Sequence, residues 1–205
     1  MAVSPPAPQQ QEVLDDLLRH QPTTRPLGQA HLVDLPMLLL VAGHETVTSM
    51  IPLAVLTLPE HPDQMDRLRT NPGRLDRAVE ELLRLLSVAD NILRVAGEAI
   101  EIGGVLIRAG DGVVFPTSIL NRDAAVFADP DRLDWDRPDA HHLAFSHGVY
   151  QCLGQSLARA ELHIALGVLL DGLPNLQLAV NPEDLLLKPA GAVQGLHRLP
   201  VRWPG

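Results

Sequence analysis

The sequence predicts a mainly α fold with a minor β-region, and three observations carry that prediction. Apolar residues recur at helical spacing along the stretches 35–58, 74–86 and 157–172. From Ile92 the period changes to short β-rich runs, Ile92 to Val95, Ala99 to Ile102, Val105 to Ile107 and Val113 to Phe115. Gly103-Gly104 and Gly110-Asp111-Gly112 separate them, which predicts a small hairpin-rich sheet. The third is Ala124 to His142, polar, rich in Pro and Asp and without periodicity, a meander unusually long for a segment with no function.

Residues 1–11, rich in Pro, Gln and Ala, read as a disordered N-terminus, leaving 12–205 as one domain. Val13 to Leu18 reads as a short amphipathic helix ending near His20, and Gln21 to Ala30 as a connector. Asp34 is the expected N-cap of the next helix, with Pro36 in its first turn. That helix is apolar nearly all round and so belongs at the centre, and Pro52 should kink it or end it early. Short helices over Glu60 to Asn71 and Arg74 to Leu86 follow, the second with the stripe Leu75, Val79, Leu82, Leu83 and Leu86. The long helix before Gly172-Leu173-Pro174 stops there. The tail, through Ala192 to Leu196 and Leu199 to Trp203, reads as a last β-hairpin.

Composition excludes several classes. The chain of 205 residues is 46% hydrophobic with a formal charge of −9, and no basic cluster points to nucleic acid or to an anionic membrane. A single cysteine allows no internal disulfide, and no segment joins a basic start to an apolar core, so the cytoplasm is the expected compartment. Leu35 to Leu58 is long enough to span a bilayer, but it carries Glu45 near its middle. A mid-bilayer carboxylate costs roughly 2.5–3.5 kcal/mol, which favours a buried core helix.

Two places hold chemistry. The polar step Gly43-His44-Glu45-Thr46 interrupts the apolar helix, and polar groups in a buried helix need partners or a cavity. A glycine leaves space beside the helix and a threonine hydroxyl can bond back to the previous turn, so the step reads as a groove or a kink. The second place is Phe145-Ser146-His147-Gly148-Val149-Tyr150-Gln151-Cys152-Leu153-Gly154, which holds the one cysteine just before a helical run. First-turn N–H groups and the helix dipole favour a thiolate there, and Gly148 and Gly154 leave room for a flat ligand. Such a sulfur is a nucleophile, a zinc ligand with His141, His142 or His147, a haem axial ligand, or a small packed thiol.

The stretch Phe145 to Gly154 with Gln155-Ser156-Leu157-Ala158-Arg159-Ala160-Glu161 resembles the cysteine-ligand loop and following helix of bacterial cytochrome P-450, the haem-thiolate monooxygenases. Ala42-Gly43-His44-Glu45-Thr46 resembles that family's oxygen-binding helix, and Glu81-Leu82-Leu83-Arg84 its Glu-x-x-Arg helix, in the right order. The resemblance implies the C-terminal part of the cytochrome P-450 fold, from the oxygen-binding helix to the C-terminal hairpin. It makes Cys152 the axial ligand of a haem b (iron protoporphyrin IX), in a cofactor site with Phe145 and Gly154. Arg94 and His142 would meet propionates. Ala42 and Gly43 would admit dioxygen, and Glu45 with Thr46 would organise proton delivery. Glu81 and Arg84 would form a buried network with Arg132, bracing the cysteine loop, while Val88, Ala89, Ile92, Ala192 and Val193 would face substrate. Two positions depart from the pattern: Ser146 stands for a usual glycine, and Tyr150 for a usual His or Arg, so one positive charge near the haem is lost.

The implied activity is hydroxylation of a small organic substrate with dioxygen, since a thiolate pushes electron density onto iron and favours O–O cleavage. Electrons would come from NAD(P)H through a ferredoxin-type donor and its reductase, because the chain carries no flavin or nucleotide motif. The resemblance covers only the C-terminal half of the family's domain. The other expectation is therefore a truncated, non-catalytic relative that binds haem weakly or acts only with another polypeptide covering its distal face.

Overall fold

The computed structural model describes residues 29–138, 141–173, 175–189 and 191–203. The expected helix at Val13 to Leu18 and the disordered start lie outside the described residues. Helix α1 runs Gln29–Thr57, α2 Pro62–Thr70 and α3 Leu75–Leu86. Strands β1 Ile92–Val95, β2 Ile100–Ile102, β3 Val105–Ile107 and β4 Gly112–Phe115 follow, then the short α4 Thr117–Leu120. Helix α5 covers Gln155–Gly172, and β5 Gln177–Leu178 and β6 Val201–Arg202 close the chain. Among the described residues neither helix nor strand of regular hydrogen bonding occurs between Leu120 and Gly148, as the irregular meander requires.

Two units divide between His44 and Glu45, inside α1. In the first, α1 begins at Gln29, so Asp34 and Pro36 lie within the helix rather than at its start. Ala30, His31 and Leu32 carry no breaker, and the helix extends through them. The large apolar side chains Val33, Met37, Leu38, Leu40 and Val41 are exposed. Val33–Glu60 is apolar and long enough to cross a membrane, a property that core helices of soluble proteins share.

In the second unit α1 passes through Pro52, so of the kink or early end expected there, the early end does not occur. It is packed there: Ser49, Met50, Ala54, Val55 and Leu58 are buried. Tertiary burial of one apolar face outweighs the single hydrogen bond that Pro52 removes. The core joins this face to Ala78, Val79, Leu82 and Leu83 of α3 and to Leu162 and Leu166 of α5, with Leu133 and Trp135 from the meander. Trp135 is fully buried because its indole N–H finds a partner, donating to the Gln64 carbonyl at 2.8 Å.

The sheet region is two separate antiparallel ladders. Strands β2 and β3 form a hairpin, and β1 pairs with β4 across it, with Arg94 opposite Val113. Alternation puts Ile92 and Arg94 on one face of β1, the less exposed one, while Leu93 and Val95 point to solvent. The tail is not one hairpin. Strand β6 pairs with β5, whereas Val193 bridges to Ala89 and Leu196 to Leu187. The two tail segments thus pair with different partners rather than with each other.

Candidate functional site

The cysteine loop is closed by one backbone bond, Cys152 N–H to the Phe145 carbonyl at 2.9 Å. It turns at Gly148, whose φ of +81° a glycine adopts without strain. Ser146, at the usual glycine position, also lies in the left-handed region with φ +63°. A serine there carries a steric cost of roughly 1–2 kcal/mol. Its hydroxyl has a use: Arg94 Nη2 donates to Ser146 Oγ at 3.0 Å. Cys152 lies three residues before α5 and is exposed.

Arg94 is the cation beside this loop. Its guanidinium also lies 5.7 Å from the centre of the Tyr150 ring. Tyr150 therefore offers Arg94 a ring face. His142 is tied to α3. Its Nε2 lies 3.0 Å from Glu80, and Arg159 grips the same carboxylate with two bonds of 2.6 and 3.1 Å. Burial pushes the Glu80 carboxyl up, but the bonds and charges of His142 and Arg159 prevail and hold it at about 2 against an ordinary 4.5. Arg159 also lies over the Phe145 ring at 4.7 Å, and His142 tilts against it at 6.2 Å. Glu80 thus fixes Phe145, whose carbonyl closes the cysteine loop.

The buried network of α3 forms with one correction. Glu81 takes two bonds from Arg84, of 2.8 and 2.9 Å, and two from Arg137, of 3.0 and 3.1 Å. Arg132 contributes its main-chain carbonyl, accepting from Arg137 at 2.8 Å and Arg84 at 3.4 Å, while its own residue stays exposed. The paired arginine is Arg137, five residues on. The sharp turn at Asp129, with φ +46°, aims backbone carbonyls of the meander inward and carries Arg132 outward. Arg84 also donates to the carbonyls of Asn121 and Pro130, both at 2.8 Å.

Glu45 and Thr46 lie on α1, half-buried, and Ala42 and Gly43 one turn earlier are exposed. Lys188 donates to Glu45 Oε1 at 2.5 Å, a contact that no local pattern announces, since 143 positions separate them. The segments expected to face substrate do come together. Val193 bridges Ala89, and Gln194 N–H donates to the Val88 carbonyl at 2.8 Å, with Val88 buried and Ala89 and Ala192 exposed. Asp90, next to them, accepts from Thr117 and from both the hydroxyl and N–H of Ser118. Burial raises its carboxyl and these bonds lower it further, to below the usual range.

The residues present fit a haem in most respects. A Cβ at Gly148 or Gly154 would meet no atom within 4 Å, so space is open beside the loop. Val149 and Leu153, on either side of the cysteine, expose apolar side chains at 94% and 88%. A thiol, apolar neighbours and a guanidinium suit a flat apolar group with an anionic edge. His142, held on Glu80, does not offer itself to that edge. A separate cavity of about 740 Å³ between α3, the meander and the loop is lined by Glu80, Arg137, His142 and Arg159. Its charged walls do not suit such a group. Among the described residues no three His, Cys, Asp or Glu side chains converge on a metal position.

The family model for cytochrome P450 matches residues 3–191. The chain belongs to the cytochrome P450 family. It is 54% identical over 191 residues to pentalenic acid synthase of Streptomyces avermitilis, covering 93% of this chain and 48% of that protein. It is 51% identical over 178 residues to vitamin D3 dihydroxylase of Streptomyces griseolus, covering 86% and 44%. The crystal structure of CYP105N1 from Streptomyces coelicolor A3(2) superposes with a TM-score of 0.86 at 42% identity, covering 92% of this chain and 47% of that one. The chain spans about half the length of the curated relatives it matches. The P450 fold is therefore present in part, helix-rich with small sheets.

Proposed function

We propose that this chain is the haem-binding and oxygen-handling part of a cytochrome P450 monooxygenase that hydroxylates a small organic molecule. The observation that carries the proposal is the cysteine loop itself. Cys152 is exposed beside open space, flanked by apolar side chains, with the guanidinium of Arg94 tied to the same loop. Cys152 would be the axial ligand, Phe145 and Gly154 would shape the loop around it, and Arg94 would pair with a propionate. When bound, a thiolate-ligated haem supplies activation of dioxygen and insertion of one of its oxygen atoms into a C–H bond.

The remaining roles belong to the chain. Ala42 and Gly43 keep side-chain bulk away from one stretch of α1 and so leave a passage for dioxygen. Glu45 takes up a proton at its carboxylate and Thr46 hands it on through its hydroxyl, since each carries an oxygen suited to that transfer. Val88, Ala89, Ile92, Ala192 and Val193 hold the substrate by apolar contact and exclude water. Glu81, Arg84 and Arg137 keep α3 and the meander in register, and Arg132 takes part through its carbonyl. Electrons enter from NAD(P)H through a ferredoxin-type donor and its reductase in the bacterial cytoplasm.

The substrate class follows from relatives named for a dihydroxylase of vitamin D3 and for pentalenic acid, both small and largely apolar. The test is incorporation of one atom of labelled dioxygen into product, with the haem-loaded chain, a ferredoxin, its reductase and NADPH. Labelled product from the wild type and none from Cys152→Ala is expected. Haem retained without any product across a panel of such substrates would leave the non-catalytic reading standing instead.

A further inference from the structure

The C-terminal loop carries a lysine into the polar step of α1. Lys188 Nζ donates to Glu45 Oε1 at 2.5 Å and to Ser49 Oγ at 3.0 Å. Glu45 and Ser49 stand four residues apart and share a face of the helix, so one ammonium spans both. Surface ion pairs of this kind contribute little by themselves. What distinguishes this one is how the loop is built to reach it. Lys188 N–H donates to the Gly195 carbonyl at 2.8 Å, and Leu187 bridges Leu196, which locks the two arms of the loop together. Gly195 is buried against α1. A Cβ there would stand 2.6 Å from Ser49 Oγ and 2.9 Å from Ser49 Cβ, and the second atom is fixed by the helix backbone. Only a glycine lets the loop approach closely enough to deliver Lys188.

We infer that Lys188 is a positioning residue for Glu45, and that Gly195 is the backbone position that makes it one. The inference rests on the reading that Glu45 and Thr46 handle protons. With Oε1 held by a charge-assisted bond, the carboxylate cannot swing, and the direction in which it takes up and passes on a proton is set. The same loop carries Ala192 and Val193, and Gln194 N–H holds it to the Val88 carbonyl at 2.8 Å. The segment that meets substrate is therefore the segment that orients the acid.

The test uses the haem-loaded full chain with Lys188→Met, Lys188→Arg and Gly195→Ala. Lys188→Met is expected to lower product formation about tenfold, less than the roughly hundredfold low end for outright loss of a proton-transfer group because Glu45 remains, while substrate affinity stays within about twofold. The share of reducing equivalents lost as hydrogen peroxide and the solvent deuterium isotope effect should both rise. Lys188→Arg should restore most of the product yield, and Gly195→Ala should behave as Lys188→Met. A second readout needs no turnover: proton exchange of the Lys188 ammonium, followed by nitrogen-15 NMR, should be slow in the wild type and fast in Glu45→Gln and Gly195→Ala. An ammonium that exchanges equally fast in all three overturns the inference, as does Lys188→Met with unchanged peroxide share and isotope effect. A slow ammonium in a chain that never turns over supports the clamp and sinks the proton-handling role of Glu45.

Discussion

Arg84 is 1% exposed and Glu81 5%, a charged pair with almost no water. Such a pair survives because every oxygen of Glu81 is bonded, and removing one partner leaves the other charge stranded. Glu81→Gln is predicted to cost about 3–5 kcal/mol of unfolding free energy, read from denaturant melts. A loss below about 1 kcal/mol would show the pair to be solvated in solution. Asn121 is a neutral counterpart, fully buried, with its amide donating to Ser87 at 2.9 Å and its oxygen accepting from Leu143 N–H at 2.7 Å. Asn121→Ala strands both and should cost about 1–3 kcal/mol by the same melts.

Glu80 gives a pH signature. Its folded carboxyl is depressed to about 2 from 4.5, so it contributes stability that is complete above about 4.5 and is lost as pH falls toward 2. The difference in stability between wild type and Glu80→Gln should therefore be constant near neutrality and shrink through that acid window. A difference that stays flat down to pH 2 would mean that His142 and Arg159 do not grip it. Read from sequence, Glu81 and Arg84 were legible through the resemblance of Glu81-Leu82-Leu83-Arg84 to the Glu-x-x-Arg helix, since their i, i+3 spacing alone reads as a solvated surface pair. Glu80, Arg159 and Lys188 were not, because their partners lie 62 to 143 positions away and no local pattern announces them.

At the scale of elements the sequence was most readable where periodicity and turn chemistry agree. The apolar stripe of α3 and the paired glycines around β2 to β4 placed both elements to within a residue or so. It was least readable where local signals compete with packing. Asp34 and Pro36 looked like a helix start and Pro52 like a kink or a stop, and α1 runs from Gln29 to Thr57 without stopping at Pro52. The tail looked like a hairpin because two apolar segments flank a short link, but pairing is decided by which open edge each meets in space. Packing of α3 gives a further prediction. Leu82 is fully buried at the centre of the core, so Leu82→Ala should cost about 2–5 kcal/mol in a thermal or denaturant melt.

At the scale of the molecule, apolar side chains stand exposed among the described residues. Leu157, Ile164 and Val168 lie along one side of α5 at 62%, 64% and 66% exposure, and the β2–β3 hairpin exposes Ile100, Ile102 and Val105. Contiguous surface of this kind drives association. The isolated chain is expected to bind a hydrophobic dye and to sediment above its 22.3 kDa monomer mass, and Ile164→Glu with Val168→Glu should shift it toward the monomer. Sedimentation at the monomer mass without dye binding would show that these faces are covered from within.

The central claim is that Cys152 binds haem iron as a thiolate. It is tested most directly by the absorbance difference between reduced and carbonyl-reduced protein, supplied with haemin, for wild type and Cys152→Ala. A strongly red-shifted carbonyl Soret band that disappears in the variant is the predicted result. An unshifted band in the wild type, or the same band in both proteins, would contradict it.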